Sequence, residues 1–147
     1  NYSKNEIITI IIQLILVIQY LHKKGFAYRD LKPSNVMINS NKTVVLIDFD
    51  QMKKITDISD EPQTMGFSSD YVAPELNYGM ISYKCDIYSL GKIIQDILLN
   101  SENKFNNDEK ANIENICKKC INEDPDQRPT IHEILYEFLI NYFQFFN

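Results

Sequence analysis

Glycine is scarce in this sequence of 147 residues. It occurs only four times, at widely separated positions: Gly25, Gly66, Gly79 and Gly91. A G-x-G-x-x-G loop, whose backbone covers the phosphates of a nucleotide, needs closely spaced glycines. The sequence therefore excludes such a loop within these residues.

A dense run of positive charge is also missing. The sequence has 15 Lys and Arg residues against 20 Asp and Glu residues, which gives a net charge of −5. Nucleic-acid-binding domains usually carry a basic patch that contacts the phosphate backbone. We therefore expect no nucleic-acid partner.

Cysteine is limited to Cys85, Cys117 and Cys120, an odd number without the spacing of a disulfide framework. This pattern favours a reducing intracellular compartment, which we expect to be the cytoplasm. Cys117 and Cys120 have the spacing of half a zinc site, but the remaining cysteine and the two histidines are scattered far from them. We interpret the two cysteines as small apolar residues on one helix face.

Residues 7–18 are almost wholly apolar. The run is shorter than the about 18–20 residues that a membrane span needs, and no small-residue cleavage site of a signal peptide follows it. Ser3 and Glu6 have the spacing of a capping box, and Gly25 suits a C-cap. We therefore expect a buried core helix of about 20 residues and no membrane partner.

The remaining patterns predict a mainly α-helical α+β fold. Two β-prone runs, 36–38 and 44–47, flank a polar turn and predict a hairpin. Residues 50–70 lack periodicity and are interpreted as an irregular loop. The length fits one domain, residues 1–147. Helical patterns predict three further helices: residues 86–100, residues 113–121, and a helix opened by a second capping box, Thr130 and Glu133.

Five motifs follow one another along the chain. They are Y-R-D-L-K-P-S-N at 28–35, D-F-D at 48–50, A-P-E at 73–75, D-I-Y-S-L-G at 86–91 and D-P-D-Q-R-P at 124–129. The first resembles the catalytic loop H-R-D-L-x-x-x-N of protein kinases, and the second resembles their metal-binding D-F-G triplet. The chain thus resembles the C-terminal, large lobe of a serine/threonine protein kinase, with one small β-hairpin at the active site and the small lobe absent. Residues 48–75 would be its activation segment.

The resemblance implies transfer of the γ-phosphate of ATP, with Mg²⁺, to Ser or Thr hydroxyls of a protein substrate. Asp30 would be the base that accepts the proton of the substrate hydroxyl. Asn35 and Asp48 would bind Mg²⁺. Lys32 would contact the transferring phosphate, and Ser68 would meet the base and the lysine.

The same resemblance places Met37 beneath the adenine and Tyr28 and Phe49 in a hydrophobic column between the lobes. Tyr28 replaces the usual His, which is a mild change because an aromatic ring fills the same place. Asp50 replaces the usual Gly. We expect this change to cost backbone conformational energy and to add charge beside the metal site, so that activity is reduced.

Other positions are implied to be structural or regulatory. Asp86 would hold the backbone of the catalytic loop, and Glu75 and Arg128 would form an ion pair that ties the activation segment to the last helices. Arg29 would pair with a phosphorylated residue of the activation segment through charge-assisted hydrogen bonds. The candidates for that residue are Thr56, Ser59, Thr64 and Ser69.

Two interpretations of function stay open. The chain is the large lobe of an active kinase, whose small lobe lies upstream or in another chain, and is inactive by itself. Alternatively, it is a truncated pseudokinase that acts as a scaffold or binding module. The second interpretation is favoured by Asp50, by the absent small lobe and by the single helix pattern between the 86–100 helix and Arg128, where kinases usually have two. Restoring a small lobe distinguishes them.

Overall fold

A computed structural model describes residues 2–57 and 69–142 of the chain. These residues form a mainly helical α+β fold with short strands. The elements are α1 Lys4–Lys23, β1 Phe26–Ala27, β2 Val36–Ile38, β3 Val44–Leu46, β4 Lys53–Lys54, α2 Lys84–Leu99, α3 Asn107–Cys120 and α4 Ile131–Tyr142. Short 3₁₀ turns occupy Pro33–Asn35, Ile55–Asp57, Pro74–Tyr78, Glu102–Lys104 and Pro125–Gln127.

The first helix begins at the predicted capping box. Ser3 Oγ accepts a hydrogen bond from Glu6 N at 3.3 Å, and Glu6 Oε2 accepts one from Ser3 N at 2.8 Å. The helix ends with Lys24 as C-cap, so the prediction that Gly25 is the C-cap was wrong by one residue. Gly25 follows with a φ of 88°, the left-handed conformation that commonly comes directly after the cap and favours glycine.

Helix α1 is long and apolar enough to cross a membrane by length and composition alone. In the structure it packs against α2, α4, β1 and β3. Its buried side chains are Ile7, Ile8, Ile10, Ile11, Leu14, Ile15 and Ile18. The helix therefore forms part of the main hydrophobic core, and the absence of a membrane partner stays a prediction.

Helix α2 runs through the core and packs most extensively against α3. Gly91 allows this close approach, because a Cβ atom placed on it would lie 2.5 Å from Cys120 Cβ and 3.1 Å from Ile121 Cγ2. Cys117 and Cys120 are buried free thiols on α3. No cluster of three or more His, Cys, Asp and Glu side chains suited to a metal ion occurs in the described residues. The two cysteines thus pack as apolar residues.

The strands form two small antiparallel sheets, not the single hairpin that the sequence predicts. The predicted hairpin is present, with Val36 opposite Leu46 and Ile38 opposite Val44. A second sheet pairs β1 with β4, in the register Phe26 with Lys54. Residues 50–57 are therefore more regular than the predicted loop, since they contain β4 and a 3₁₀ turn.

The last helix begins at the predicted capping box, whereas α3, predicted over residues 113–121, already begins at Asn107. Thr130 Oγ1 accepts from Glu133 N at 3.3 Å, and Glu133 Oε2 accepts from Thr130 N at 2.7 Å, which completes the second capping box. In the described part of the chain, α3 is the one α-helix between α2 and Arg128.

Candidate active site

The loop of residues 28–35 is fixed to the first turn of α2 by one buried carboxylate. Asp86 Oδ2 accepts a hydrogen bond from Tyr28 N at 2.8 Å, and Asp86 Oδ1 accepts one from Arg29 N at 2.8 Å. His22 Nε2, at the end of α1, lies 2.8 Å from Asp86 Oδ2. Asp86 is fully buried. The loop backbone is therefore held by side chains of two core helices.

Within this loop, three polar side chains converge. Lys32 Nζ lies 2.9 Å from Asp30 Oδ2. Asn35 Nδ2 donates to Asp30 Oδ2 at 2.9 Å and to the Asp30 carbonyl at 2.8 Å. The Asp30 side chain keeps 14% of its surface exposed. The carboxylate is thus oriented by an amide and an ammonium group while one part of it faces solvent.

The β2–β3 hairpin carries Asp48 to the same region. Ile47 N donates to the Asn35 carbonyl at 3.0 Å, and the Tyr28 hydroxyl donates to the Ile47 carbonyl. Asp48 follows in the left-handed conformation, with a φ of 64°, which Asp tolerates better than most residues. These bonds tie the start of the 48–75 segment to the 28–35 loop.

Tyr28 lies at the centre of this arrangement. Its ring is fully buried and contacts the Phe49 ring edge-on, with centroids 5.6 Å apart. Burial, together with the negative charges of Asp30, Asp48 and Asp86, raises the pKa of Tyr28 to about 12. The phenol therefore stays protonated and donates its hydrogen bond at neutral pH.

The oxygen ligands predicted for Mg²⁺ fit that ion in type. Asn35 uses its amide nitrogen on Asp30, so the remaining polar atom of its side chain is an oxygen. Asp48 presents an exposed carboxylate, whose Oδ1 also accepts from Asp50 N at 3.3 Å. Mg²⁺ in phosphate-transfer sites is typically held by one or two protein oxygens together with substrate phosphates and water. The pair is suited to that kind of site.

Asp50 needs no unusual backbone conformation. Among the described residues other than glycine, positive φ angles occur at Arg29, Lys42 and Asp48, and Asp50 is not one of them. The expectation that Asp costs backbone energy at position 50 was therefore wrong. What remains of that prediction is the added negative charge, which lies on an exposed side chain two residues from Asp48.

An exposed apolar face lies on the β2–β3 hairpin and on the residues that directly follow it. Met37, Val45, Ile47 and Phe49 are each 41–54% exposed, although all are large apolar side chains. Met37 and Val45 are cross-strand partners, so their side chains share one face of the hairpin. Exposed apolar patches of this kind commonly mark a surface that another segment or ligand covers.

Arg29 is almost completely buried, yet its Nε and Nη1 atoms have no hydrogen-bond partner in the described part of the protein. Burial lowers the pKa of its guanidinium, although Cys85 and Asp86 act in the opposite direction. Of its predicted phosphorylated partners, Thr56 is exposed, and Ser69 Oγ accepts from Tyr71 N at 3.3 Å. Ser59, Thr64 and the predicted site residue Ser68 lie outside the described residues.

Glu75 and Arg128 form a buried two-bond ion pair. Arg128 Nη1 donates to Glu75 Oε1 at 2.5 Å, and Nη2 donates to Oε2 at 2.8 Å. Arg128 also donates to the carbonyls of Asn122, Lys84 and Glu123. The pair therefore links the 3₁₀ turn after residue 73 to the start of α2 and to the segment before α4.

Contacts of two residues at the site, His22 and Tyr71, were not predicted from the sequence. His22 supports Asp86, as described above. Tyr71, at the end of the 48–75 segment, donates its hydroxyl proton to Asp96, and its carbonyl accepts from Ser89 Oγ at 2.7 Å. Both partners of Tyr71 lie on α2. The only signal in the sequence was the helical register that places positions 89 and 96 two turns apart on one helix face.

Comparisons with known proteins identify the proteins to which the sequence is similar. A family profile described as "Protein kinase domain" matches residues 1–118. The chain is 40% identical over 86 residues to the serine/threonine-protein kinase RUNKEL of Arabidopsis thaliana, which covers 56% of this chain and 6% of that protein. It is 31% identical to 3-phosphoinositide-dependent protein kinase B of Dictyostelium discoideum, over 83% of this chain and 16% of that protein. It is 27% identical to cAMP-dependent protein kinase type 3 of Saccharomyces cerevisiae, over 86% of this chain and 31% of that protein. The chain thus spans less than a third of each of these relatives.

Proposed function

Because the chain belongs to the protein kinase family, we propose that it is the catalytic lobe of an ATP- and Mg²⁺-dependent serine/threonine kinase acting on protein substrates. The observation that carries the proposal is the convergence of Lys32 and Asn35 on the Asp30 carboxylate. Phosphoryl transfer requires mainly positioning and stabilisation of charge, and these three groups supply both.

Asp30 is assigned as the base. Its carboxylate is partly exposed and is held from one side by Asn35 Nδ2 at 2.9 Å, so its free surface can accept the proton of a Ser or Thr hydroxyl. Lys32 Nζ, 2.9 Å from the same carboxylate, would neutralise charge on the phosphate next to the base. Ser68 is proposed to meet both groups.

Asn35 and Asp48 are assigned as metal ligands. Bound Mg²⁺ would neutralise the negative charge of the ATP phosphates. The Asn35 amide is fixed by two hydrogen bonds to Asp30, which sets the direction of its oxygen. Asp48 is positioned by the hairpin through the Ile47–Asn35 backbone bond.

The exposed face around Met37 is assigned to the adenine and to a small lobe. Met37 is half-exposed on the hairpin, next to Val45 on the partner strand. Apolar side chains at this position can contact a flat purine ring. We propose that a kinase small lobe, upstream in the native chain or in a partner chain, covers this face and supplies the phosphate-covering loop that these 147 residues do not contain.

The segment 48–75 is assigned as the activation segment. Arg29 is assigned as the residue that binds a phosphorylated side chain of this segment through its N–H donors. The Nε and Nη1 donors of Arg29 have no partner among residues 2–57 and 69–142, and this supports the assignment because buried donors without a partner are costly. The three free cysteines support a reducing, intracellular location such as the cytoplasm.

The alternative is a non-catalytic scaffold, and Asp50 is the observation that favours it. The deciding experiment joins a small lobe from a serine/threonine kinase to the N-terminus of this chain and measures transfer of labelled phosphate from MgATP to a general protein substrate. Phosphate transfer that stops when Mg²⁺ is chelated supports the assignment as an enzyme. A folded fusion that transfers no phosphate supports the scaffold.

A further inference from the structure

A cavity lies away from the candidate active-site residues Asp30 and Asp48. It has a volume of about 630 Å³ and lies between the C-terminal end of α1 and the N-terminal ends of α2 and α4. Cavities of several hundred Å³ are of the size that proteins use for small organic ligands. None of the residues that we assign to phosphoryl transfer is among the described residues that line it.

Apart from the Tyr83 phenol, the titratable side chains that line this cavity are all basic. They are Lys23, Lys84, His22 and His132, and no carboxylate lines the cavity among the described residues. Two carboxylates contact lining residues from outside. Asp86 is engaged with His22 and the 28–35 loop, and Glu133 accepts bonds from Thr130 N and Oγ1.

The two lysines differ in their surroundings. Lys84 donates from Nζ to the Arg128 carbonyl, which lies outside the cavity in a neighbouring depression with Glu133, so its ammonium group is engaged there. Lys23 is exposed at the rim, on the last turn of α1. The cavity therefore presents the adjustable ammonium group of Lys23 to a bound molecule, and no carboxylate lines the cavity among the described residues.

The inner wall is apolar. Ile87 and Ile131 contribute buried side chains from α2 and α4, and the rings of Tyr83 and His22 lie 4.8 Å apart. An inorganic anion would gain nothing from this wall, whereas a molecule with an apolar body would be removed from water there. A carboxylate on an aromatic or aliphatic body suits both the apolar wall and the Lys23 ammonium group at the rim.

We propose that this cavity binds a small organic acid, with its apolar body against Ile87 and Ile131 and its carboxylate beside Lys23. The occupied cavity is connected to the 28–35 loop by a short chain of contacts. His22 lines the cavity and lies 2.8 Å from Asp86 Oδ2, which accepts the bond from Tyr28 N. A ligand that moves or repolarises His22 therefore alters the backbone bonds of Tyr28 and Arg29. Binding does not depend on the proposed phosphoryl transfer.

The test is a titration of the ¹⁵N-labelled protein with 1-naphthoate, followed by amide chemical shifts. We expect saturable shifts around residues 83–87 and 130–132, and also at Tyr28 and Arg29. The neutral analogue 1-naphthalenemethanol and inorganic sulfate serve as matched probes for the apolar body alone and for charge alone. Each should bind at least about fivefold more weakly, as expected when an attraction of about 1 kcal/mol is lost.

A charge reversal at the rim provides the matched pair of variants. Lys23→Glu should weaken naphthoate binding about fivefold or more, whereas Lys24→Glu, one residue further and outside the cavity, should change it less than twofold. Lack of saturable binding, equal binding of the neutral analogue, equal effects of both variants, or shifts confined to the Met37 face would each overturn the proposed site. Binding without shifts at Tyr28 and Arg29 would overturn the link to the loop.

Discussion

Arg128 and Glu75, 53 positions apart in the sequence, form two hydrogen bonds of 2.5 and 2.8 Å inside the protein. The guanidinium also lies 5.0 Å from the centre of the Tyr88 ring. Every donor nitrogen of the Arg128 side chain thus has an acceptor, in Glu75 or in a backbone carbonyl. The pair is a fully satisfied buried ion pair, and such pairs are sensitive to the removal of one partner.

Replacing Glu75 by Ala should strongly destabilise the fold. The change leaves the Arg128 charge buried and unpaired, which costs about 3–5 kcal/mol in comparable pairs. Urea unfolding at pH 7 measures the loss. The exposed pair Lys119–Glu137, with N–O distance 2.9 Å, provides the control, and Glu137→Ala should cost less than about 1 kcal/mol. Equal losses for the two variants would contradict a structural role for the buried pair.

The protein should lose stability at alkaline pH because its thiols are buried. Burial raises the pKa of Cys117 from the usual 9.0 to about 12, and it raises the pKa of Cys85 and Cys120 as well. The unfolded chain releases these protons above about pH 9 while the folded protein retains them, so the stability present below pH 9 falls as pH rises toward 12. The slope is about 1.4 kcal/mol per pH unit for each thiol.

Unfolding measured in urea at pH 7, 8 and 10 checks this dependence. The free energy of unfolding should be similar at pH 7 and 8 and should be lower at pH 10. Cys117→Ala provides the comparison, because it removes one raised thiol and should make the decrease shallower. A variant with an unchanged slope would show that Cys117 does not titrate differently in the two states.

Asp50 should lower activity through its charge and not through its backbone. Because its φ is not positive, both Asp50→Asn and Asp50→Gly should raise the rate of phosphate transfer by a chain joined to a small lobe. Removal of one like charge near the metal site is worth about 1 kcal/mol at an exposed position, or roughly fivefold in rate. An increase with Gly alone would indicate a backbone effect, and no increase with either would show that Asp50 is harmless.

Arg29 should be occupied by a phosphorylated side chain in the active protein. Its Nε and Nη1 donors lack partners in the described residues, and phosphate oxygens would satisfy them. Phosphopeptide mapping of active protein should find a phosphate within residues 48–75. Arg29→Met should then reduce activity while leaving the stability of the unphosphorylated protein within about 1 kcal/mol, since a partly unsatisfied buried charge is removed. An unmodified segment in active protein would exclude this regulation.

The helices were predictable because their signals are local. Two capping boxes and the apolar spacing located α1 and α4 to within a few residues. Helix α3, predicted over residues 113–121, begins six residues earlier at Asn107, where a capping box of Asn106 and Glu109 was not recognised. The β1–β4 sheet was not predictable, because each strand has two residues and Lys53 and Lys54 show no alternation of apolar and polar side chains. Pairing of such strands is determined by the packing of α1 and the 28–35 loop, which no local pattern describes.

The candidate site was predictable only as a set of positions. The motif order placed Asp30, Asn35 and Asp48 near one another, but not the contact of His22 with Asp86, which joins residues 64 positions apart. A histidine at the end of a helix carries no signal for a partner so distant in sequence. The backbone angle at Asp50 could likewise not be predicted from the sequence. That glycine is usual at this position does not determine the conformation that an aspartate adopts there.

The rate of phosphate transfer by an Asp30→Asn variant tests the central claim most directly. The chain is joined to a small lobe, and the variant is compared with the parent and with Asp108→Asn, a matched change at an exposed position in the first turn of α3. Loss of a base and of the contacts to Lys32 and Asn35 should reduce the rate by roughly 10²–10⁴-fold, with Asp108→Asn unchanged. Rates within about twofold of the parent for Asp30→Asn would contradict the assignment of this loop as the catalytic site.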